Sequence, residues 1–392
     1  MSFTPRPYQV DAIRAGVEFF KNRHPKKEKR KNGLIILPTG SGKSVVIANI
    51  CKDLYGKTIV FQPSKEILQQ NYAKFSAYGF RAGIYSASAG HKFIEKITFA
   101  TIGSVIRKKH LFADVEHIII DECHLVNAEA GMYLEFINSI GDSMALGLTA
   151  TPYRLSSGKE GAMLKFLTRT RPRVFKKVLY FVQNNALFNA GHLAPLRYFS
   201  FDVINRQMLQ TNSTGTDFTD ASLKSYYRQI NMPKITTAYA NRLLLKRRNL
   251  LVFCALIEEA EKVVAGIPGA LLVTGDTEAS ERDKILRDFK SGKVRCVVNV
   301  GVLTTGFDYP ELECVLIARS TMSLSLYYQI IGRCMRPFRY PDGSLKEGWV
   351  VDLGGNITFF GKIETMEIVE PKPGLHYIMN NGRCLTNVPF TK

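Results

Sequence analysis

Gly33-Leu34-Ile35-Ile36-Leu37-Pro38-Thr39-Gly40-Ser41-Gly42-Lys43-Ser44-Val45-Val46-Ile47-Ala48-Asn49-Ile50 decides the fold class. The opening Gly33 to Ile36 is a short apolar run of strand type, and Val45 to Ile50 reads as the apolar side of a helix. A Gly-rich turn between strand and helix makes a phosphate cradle. Backbone N–H groups and the positive end of the helix dipole face the anion, and Lys43 reaches its terminal phosphates. Glycine at 40 and 42 lets the backbone close on phosphate with no Cβ in the way. The strict G-x-x-x-x-G-K-[ST] pattern is broken only at its first position, where Leu37 stands.

Outward from this stretch, short β-branched runs alternate with helical segments. Strands are predicted at 34–37, 57–62, 96–101, 115–121 and 144–149, with helices such as 64–78 and 130–140 between them. That rhythm implies a mainly parallel sheet flanked by helices on both faces. It fails from Tyr153 to about Lys234 and returns at Asn249 to Cys254. Further strands are predicted at 269–274, 295–300, 313–318 and 348–353, with helices at 256–265, 279–290 and 323–334. The chain therefore divides into a first α/β domain at 1–155, an irregular basic connector at 156–235, a second α/β domain at 236–355 and a tail at 356–392. In that tail, Asn380-Asn381-Gly382 could turn a terminal hairpin.

Lys and Arg number 53 against 34 Asp and Glu, a net charge of +19. Such an excess points to a polyanionic partner, most often nucleic acid; a merely soluble basic protein is the bland alternative. The stretch Lys21 to Lys31, with seven Lys/Arg and one acid, is first a solvated loop and only second a nucleic-acid contact. The seven cysteines form no C-x-x-C pair, so neither a zinc site nor a disulfide framework is indicated. Neither a signal peptide nor a membrane-spanning run is recognisable, so the expected setting is cytoplasmic and nucleoid-associated, or the host cytoplasm for a phage-encoded chain, with no membrane partner.

The apolar run Val115 to Ile120 delivers Asp121-Glu122-Cys123-His124. Adjacent acids at a strand's C-terminal end are natural companions of a phosphate loop. One carboxylate holds Mg²⁺ and the next orients and deprotonates the attacking water.

In order and over nearly the whole length, the motifs resemble those of superfamily 2 helicases. Arg6, Tyr8 and Gln9 match the element that recognises adenine, and Thr39 to Ser44 the phosphate loop of motif I. Pro63 and Ser64, then Thr101 and Ser104, are similar to strand-end contacts with a nucleic-acid backbone. Asp121 to His124 match motif II, and Thr149-Ala150-Thr151-Pro152 matches motif III. In the second half, Val298 to Asp308 match motif V, bringing Thr304, Thr305, Gly306 and Asp308, and Gln329 to Arg336 match motif VI. Leu37 to Ser44, Leu148 to Arg154, Thr274 to Thr277 and Leu303 to Asp308 resemble the RadD-type bacterial DNA-repair ATPases more closely. Those usually carry a cysteine-rich zinc-binding region after the second domain, whereas here only Cys384 lies beyond Leu353.

The resemblance implies two RecA-like domains with ATP held between them. Lys43 and Ser44 would hold phosphates and Mg²⁺, Asp121 the metal and Glu122 the water. Gln329, Arg333 and Arg336 would act on the transferred phosphoryl group, with Gly306 and Asp308 also at the nucleotide, and His124, Thr149 and Thr151 would couple hydrolysis to the bound strand. The implied function is an ATP-dependent DNA helicase, translocase or remodeller acting on single-stranded or branched DNA, as a monomer. Alternatives are an RNA helicase and an ATP-switched scaffold with little turnover. The single-stranded-DNA-binding protein, with its acidic tail, is an implied partner. Between Arg154 and Ser200 lie nine Lys/Arg and one acid, densest from Lys165 to Lys177. That run is expected either as a positive strip beside the nucleotide cleft or, with equal weight, as a solvated face.

Overall fold

The computed structural model describes residues 4–22, 32–141, 143–158, 161–201, 203–304 and 306–388. The chain folds as two units. One comprises Met1–Arg154, Lys165–Gln183 and Ile368–Ile378; the other comprises Leu155–Leu164, Asn184–Glu367 and Met379–Lys392.

The opening apolar run forms β1 (Asn32–Ile36), buried at every position. It is followed by β2 (Thr58–Phe61), β3 (Gly83–Ser86), β4 (His91–Lys92), β5 (Ile97–Ala100), β6 (His117–Asp121) and β7 (Met144–Thr149). Next come a short ribbon of β8 (Tyr153–Gly158) and β9 (Gly161–Phe166), and then β10 (Phe175–Phe181). The first unit's sheet runs β10-β1-β7-β6-β2-β5-β3-β4. Every pairing in it is parallel except β3 with β4. Strands buried on both faces read as unbroken apolar runs, which is why β1, β2, β5 and β6 were visible in the sequence. Gly147 in β7 answers a packing demand: a Cβ there would lie 2.5 Å from Cys123 Sγ and 2.7 Å from the Phe175 ring. A side chain at 147 would push motif II off the sheet.

The second unit holds β11 (Leu196–Ser200), β12 (Leu250–Cys254), β13 (Leu271–Val273), β14 (Cys296–Asn299), β15 (Cys314–Ala318) and β16 (Gly348–Asp352). They form one parallel sheet in the order β11-β16-β15-β12-β14-β13. Its core joins Leu250, Val252, Val298, Leu316 and Val351 to Tyr227, Ala260 and Val263 of the covering helices. The terminal hairpin expected at Asn380 is present: Met379 pairs with Cys384 and Asn380 with Arg383. Asn381 and Gly382 turn it at φ 47° and 78°, the positive values of a tight primed turn.

The stretch 156–235, expected to be irregular, carries strands and is shared by both units. β10 joins the first sheet as an edge strand beside β1, and β11 joins the second beside β16. Each is an edge strand in which exposed residues, Lys176 and Lys177 in β10 and Arg197 in β11, interrupt partly buried ones, so neither shows the unbroken apolar pattern of an inner strand. Among the described residues, no helix is long and apolar enough to cross a membrane.

Candidate active site

In the first unit the motifs gather where the parallel strands end. The phosphate loop leaves β1, Asp121 closes β6 and Thr149 closes β7, and this C-terminal edge is where open parallel sheets bind ligands. Helix α1 (Pro7–Lys21) fixes the loop from outside. Tyr8 Oη donates to Ser41 O at 2.7 Å, and Gln9 Nε2 donates to the same carbonyl at 2.8 Å. Gln9 Oε1 accepts from Arg6 N at 2.8 Å. Ser41 turns back on the loop, its Oγ donating to Pro38 O at 2.6 Å. Leu37 N donates to Thr149 O at 3.0 Å, binding loop to motif III. Gly42 has φ +86°, and a Cβ there would stand 2.5 Å from Gln9 Nε2, so both the backbone and the clamp require glycine. Helix α2 (Lys43–Lys52) starts immediately; Val45 N and Val46 N donate to Gly42 O, while the N–H groups of Lys43 and Ser44 precede any acceptor within the helix.

Lys43 Nζ lies 3.2 Å from Glu122 Oε1, with both side chains largely buried. Glu122 adopts the left-handed region at φ 49°, a conformation an L-residue holds only where its surroundings enforce it. His124 Nδ1 is 3.4 Å from Glu122 Oε2 and 2.9 Å from Thr149 Oγ1, and Thr149 Oγ1 also accepts from Thr151 N at 3.0 Å. One chain of contacts therefore runs from Lys43 through Glu122 and His124 to motif III. Asp121 Oδ1 accepts from Glu122 N at 3.0 Å, and its Oδ2 from Asn71 Nδ2 at 3.2 Å. Asn71 is in turn held by Gln62 Oε1 at 2.9 Å.

The two acids differ electrostatically. Burial, reinforced by the neighbouring Glu122 charge, pushes Asp121 up to about 7. Burial would raise Glu122 too, but the Lys43 ammonium and the His124 hydrogen bond outweigh it and hold it down to about 2. A buried carboxylate beside a second anion calls for a cation, and with the hydroxyl of Ser44, which follows the Glu122-contacting Lys43, the donors are all oxygen. That set fits a hard divalent ion such as Mg²⁺.

The strand-end candidates have structural duties of their own. Ser64 caps helix α3 (Lys65–Ala77), its Oγ accepting from Ile67 N at 3.4 Å. Thr101 Oγ1 is 3.0 Å from both Ser86 Oγ and Ser104 Oγ, while Ser104 Oγ accepts from Ala87 N at 2.8 Å. Pro63 and Ser64 follow β2, and Thr101 and Ser104 follow β5, on the same C-terminal edge.

In the second unit, Asn299 ends β14 and its Oδ1 gathers Val302 N at 3.0 Å and Leu303 N at 2.8 Å. This shapes the turn from Val300 to Leu303 that leads to Thr304; Gly306 has φ +74°, and Thr305 lies outside the described residues. The helix carrying Gln329 spans Leu324–Ile331, so Arg333 and Arg336 sit in the turns after it. Arg333 is buried, its Nη1 donating to Phe307 O and its Nε to Gln329 O at 3.2 Å. Arg336 is ion-paired with Asp308, and burial lowers its guanidinium to about 10, still cationic at neutral pH. Sequence reading placed Asn299 inside motif V without giving it a role, and it missed Asn71 and Gln62 as site residues. Their only sequence signal is a polar side chain at or just beyond a strand end, or on an otherwise ordinary helix.

The C-terminal part of the basic strip, expected either beside the cleft or as a solvated face, lies away from the phosphate loop. Asn32 pairs with Phe175 and holds Val174 O, so Arg173, Lys176 and Lys177 lie at the N-terminal edge of the first sheet, opposite the phosphate loop, whereas Arg169 closely follows Leu167, whose N donates to Pro152 O of motif III at 2.8 Å.

The family described as "Type III restriction enzyme, res subunit" matches residues 2–154, and "Helicase conserved C-terminal domain" matches 235–337. A "51.5 kDa protein" of Lactococcus phage (isolate 7-9) is 26% identical over 317 residues, covering 78% of this chain and 62% of that protein. The "DNA 3'-5' translocase XPB2" of Sulfurisphaera tokodaii is 24% identical over 367 residues, covering 84% of this chain and 78% of that one. Among solved structures, the "ATP-dependent Type ISP restriction-modification enzyme LlaBIII bound to DNA" has a TM-score of 0.64 at 15% identity, covering 90% of this chain and 28% of that one. The chain thus spans less than two thirds of the phage relative's length. With both helicase families matched in order and a parallel, RecA-like sheet in each unit, the chain belongs to superfamily 2 of the helicases.

Proposed function

We propose that the chain is an ATP-dependent DNA helicase, translocase or remodeller. The observation that carries this is the chain of contacts Lys43–Glu122–His124–Thr149, because it joins a phosphate-binding lysine and a charged base to the motif expected to feel the bound strand. The Lys43 ammonium and the N–H groups of Lys43 and Ser44 bind the terminal phosphates. Ser44 and Asp121 would hold Mg²⁺, which when bound neutralises charge on the phosphate oxygens. Glu122, ionised at neutral pH, orients the attacking water and accepts its proton. Arg333 and Arg336, with Gln329, serve as the charge-stabilising groups of the second unit. The names of the relatives support DNA as the polymer, and contacts to its sugar and phosphate would give no sequence preference. The basic surface also suits the acidic tail of a single-stranded-DNA-binding protein.

Asn71 becomes a positioning residue in this scheme. Asn71→Ala should raise the Mg²⁺ concentration for half-maximal turnover by about 10–100-fold, as losses of outer-sphere support do. A Mg²⁺ titration that overlays the wild type would remove Asn71 from the site. Motion on DNA is tested by displacement of a third strand from a triplex. We expect displacement with ATP and none with a non-hydrolysable analogue; ATP turnover with no displacement would reduce the reading to a remodeller or switch.

A further inference from the structure

The relocated basic strip has a defined setting. β10 runs parallel to β1, with Asn32 opposite Phe175. Asn32 locks that corner, its Nδ2 donating to Val174 O at 3.0 Å and its Oδ1 accepting from Ala145 N at 2.9 Å. Arg173, Lys176 and Lys177 are exposed there, with exposed Arg171 leading into the corner. Lys21, exposed at the end of α1, reaches the same edge, because the preceding Phe20 packs its ring 4.8 Å from that of His117, which opens β6. The sequence from Gly161 to Gln183 contains no Asp or Glu. Among the described residues, no ion pair joins Arg169, Arg171, Arg173 or Lys177 to a carboxylate.

Distance separates this corner from the helicase motifs. β1 has five residues; at about 3.3 Å each, the two edges of the sheet stand roughly 16 Å apart. That is about twice the screening length of roughly 8 Å at physiological salt, so the corner adds little field at the motif edge. Lysines on an edge strand also discourage unwanted strand pairing. That explanation covers Lys176 and Lys177, which lie on β10, but not Arg171 and Arg173, which precede it.

We propose that this corner is a second DNA-backbone site, which takes the phosphates of a duplex segment outside the track of the helicase motifs. The inference rests on the reading of the chain as a DNA-dependent motor. Arginine and lysine side chains grip phosphate without reading sequence, so the site would lengthen the footprint and leave sequence preference unchanged.

The test is a combined variant, Arg171→Ser, Arg173→Ser, Lys176→Gln and Lys177→Gln, compared with wild type by DNA affinity across a salt series. Two probes are used: a single strand of about 10 nucleotides, long enough to engage roughly 6–10 phosphates, and a duplex of about 40 base pairs, some 130 Å long. The variant should bind the duplex about tenfold more weakly at physiological salt. It should also flatten the slope of log K against log[salt] by about 2 or more, at about 0.9 for each phosphate no longer neutralised. Its affinity for the short strand should match wild type. The double variant Arg171→Ser, Arg173→Ser, which leaves β10 untouched, should show part of the same change and guards against misfolding. An unchanged duplex slope, or an equal loss on both probes, would overturn the second site while leaving the motor reading intact. A wild-type chain that binds neither probe would overturn the motor reading and this site with it.

Discussion

Glu122→Gln should keep affinity for ATP and DNA within a few-fold and lower kcat by about 10³, within the roughly 10²–10⁴ range for removal of a general base. The amide keeps an oxygen for Lys43 at the position now 3.2 Å away but can neither take a proton nor carry charge. Lys43→Ala should behave differently. Its ammonium serves the phosphates in the bound state as well as in the transition state, so KM should rise, and kcat should fall only by the share of the contact that strengthens in the transition state. Single-turnover kinetics separates the two. If Glu122→Gln retains turnover near wild type, the water is activated by another group.

Arg336→Ala should reduce kcat by about 10³ or more with little change in ATP affinity, since a guanidinium acting on the transferred phosphoryl group is needed mainly in the transition state. In the structure Arg336 pairs with Asp308, so the alanine variant also leaves that carboxylate without its cation. Asp308→Asn separates the effects: it keeps the arginine and should cost far less than Arg336→Ala. Arg336→Lys should recover little, because an ammonium lacks the planar fork of a guanidinium. Equal losses in Asp308→Asn and Arg336→Ala would make the pair a structural tie with no part in turnover.

The inner strands were legible because a parallel sheet buries both faces of each strand, and β1, β6, β12 and β15 accordingly read as continuous apolar runs. The phosphate loop and Asp121-Glu122 were legible because their chemistry dictates residue types at fixed offsets from such strands. β10 was not. Phe175-Lys176-Lys177-Val178 opens an edge strand whose outward residues are charged, and its partner β1 lies about 140 residues earlier, beyond any local pattern. For the same reason, charge and sequence position left the basic strip either beside the cleft or as a solvated face, whereas the strand register carries Arg173, Lys176 and Lys177 to the far edge of the sheet. Asn71 was hidden differently: one polar residue among several on α3 looks solvated until Gln62 and Asp121 close around it.

The most direct test of the central claim is steady-state ATP hydrolysis by the full chain, alone and with single-stranded DNA, duplex DNA or RNA of matched length. DNA should raise the rate at least about tenfold, a lowering of the barrier by about 1.4 kcal/mol, and RNA should raise it much less. Hydrolysis indifferent to any nucleic acid, or stimulated by RNA above DNA, would contradict the account.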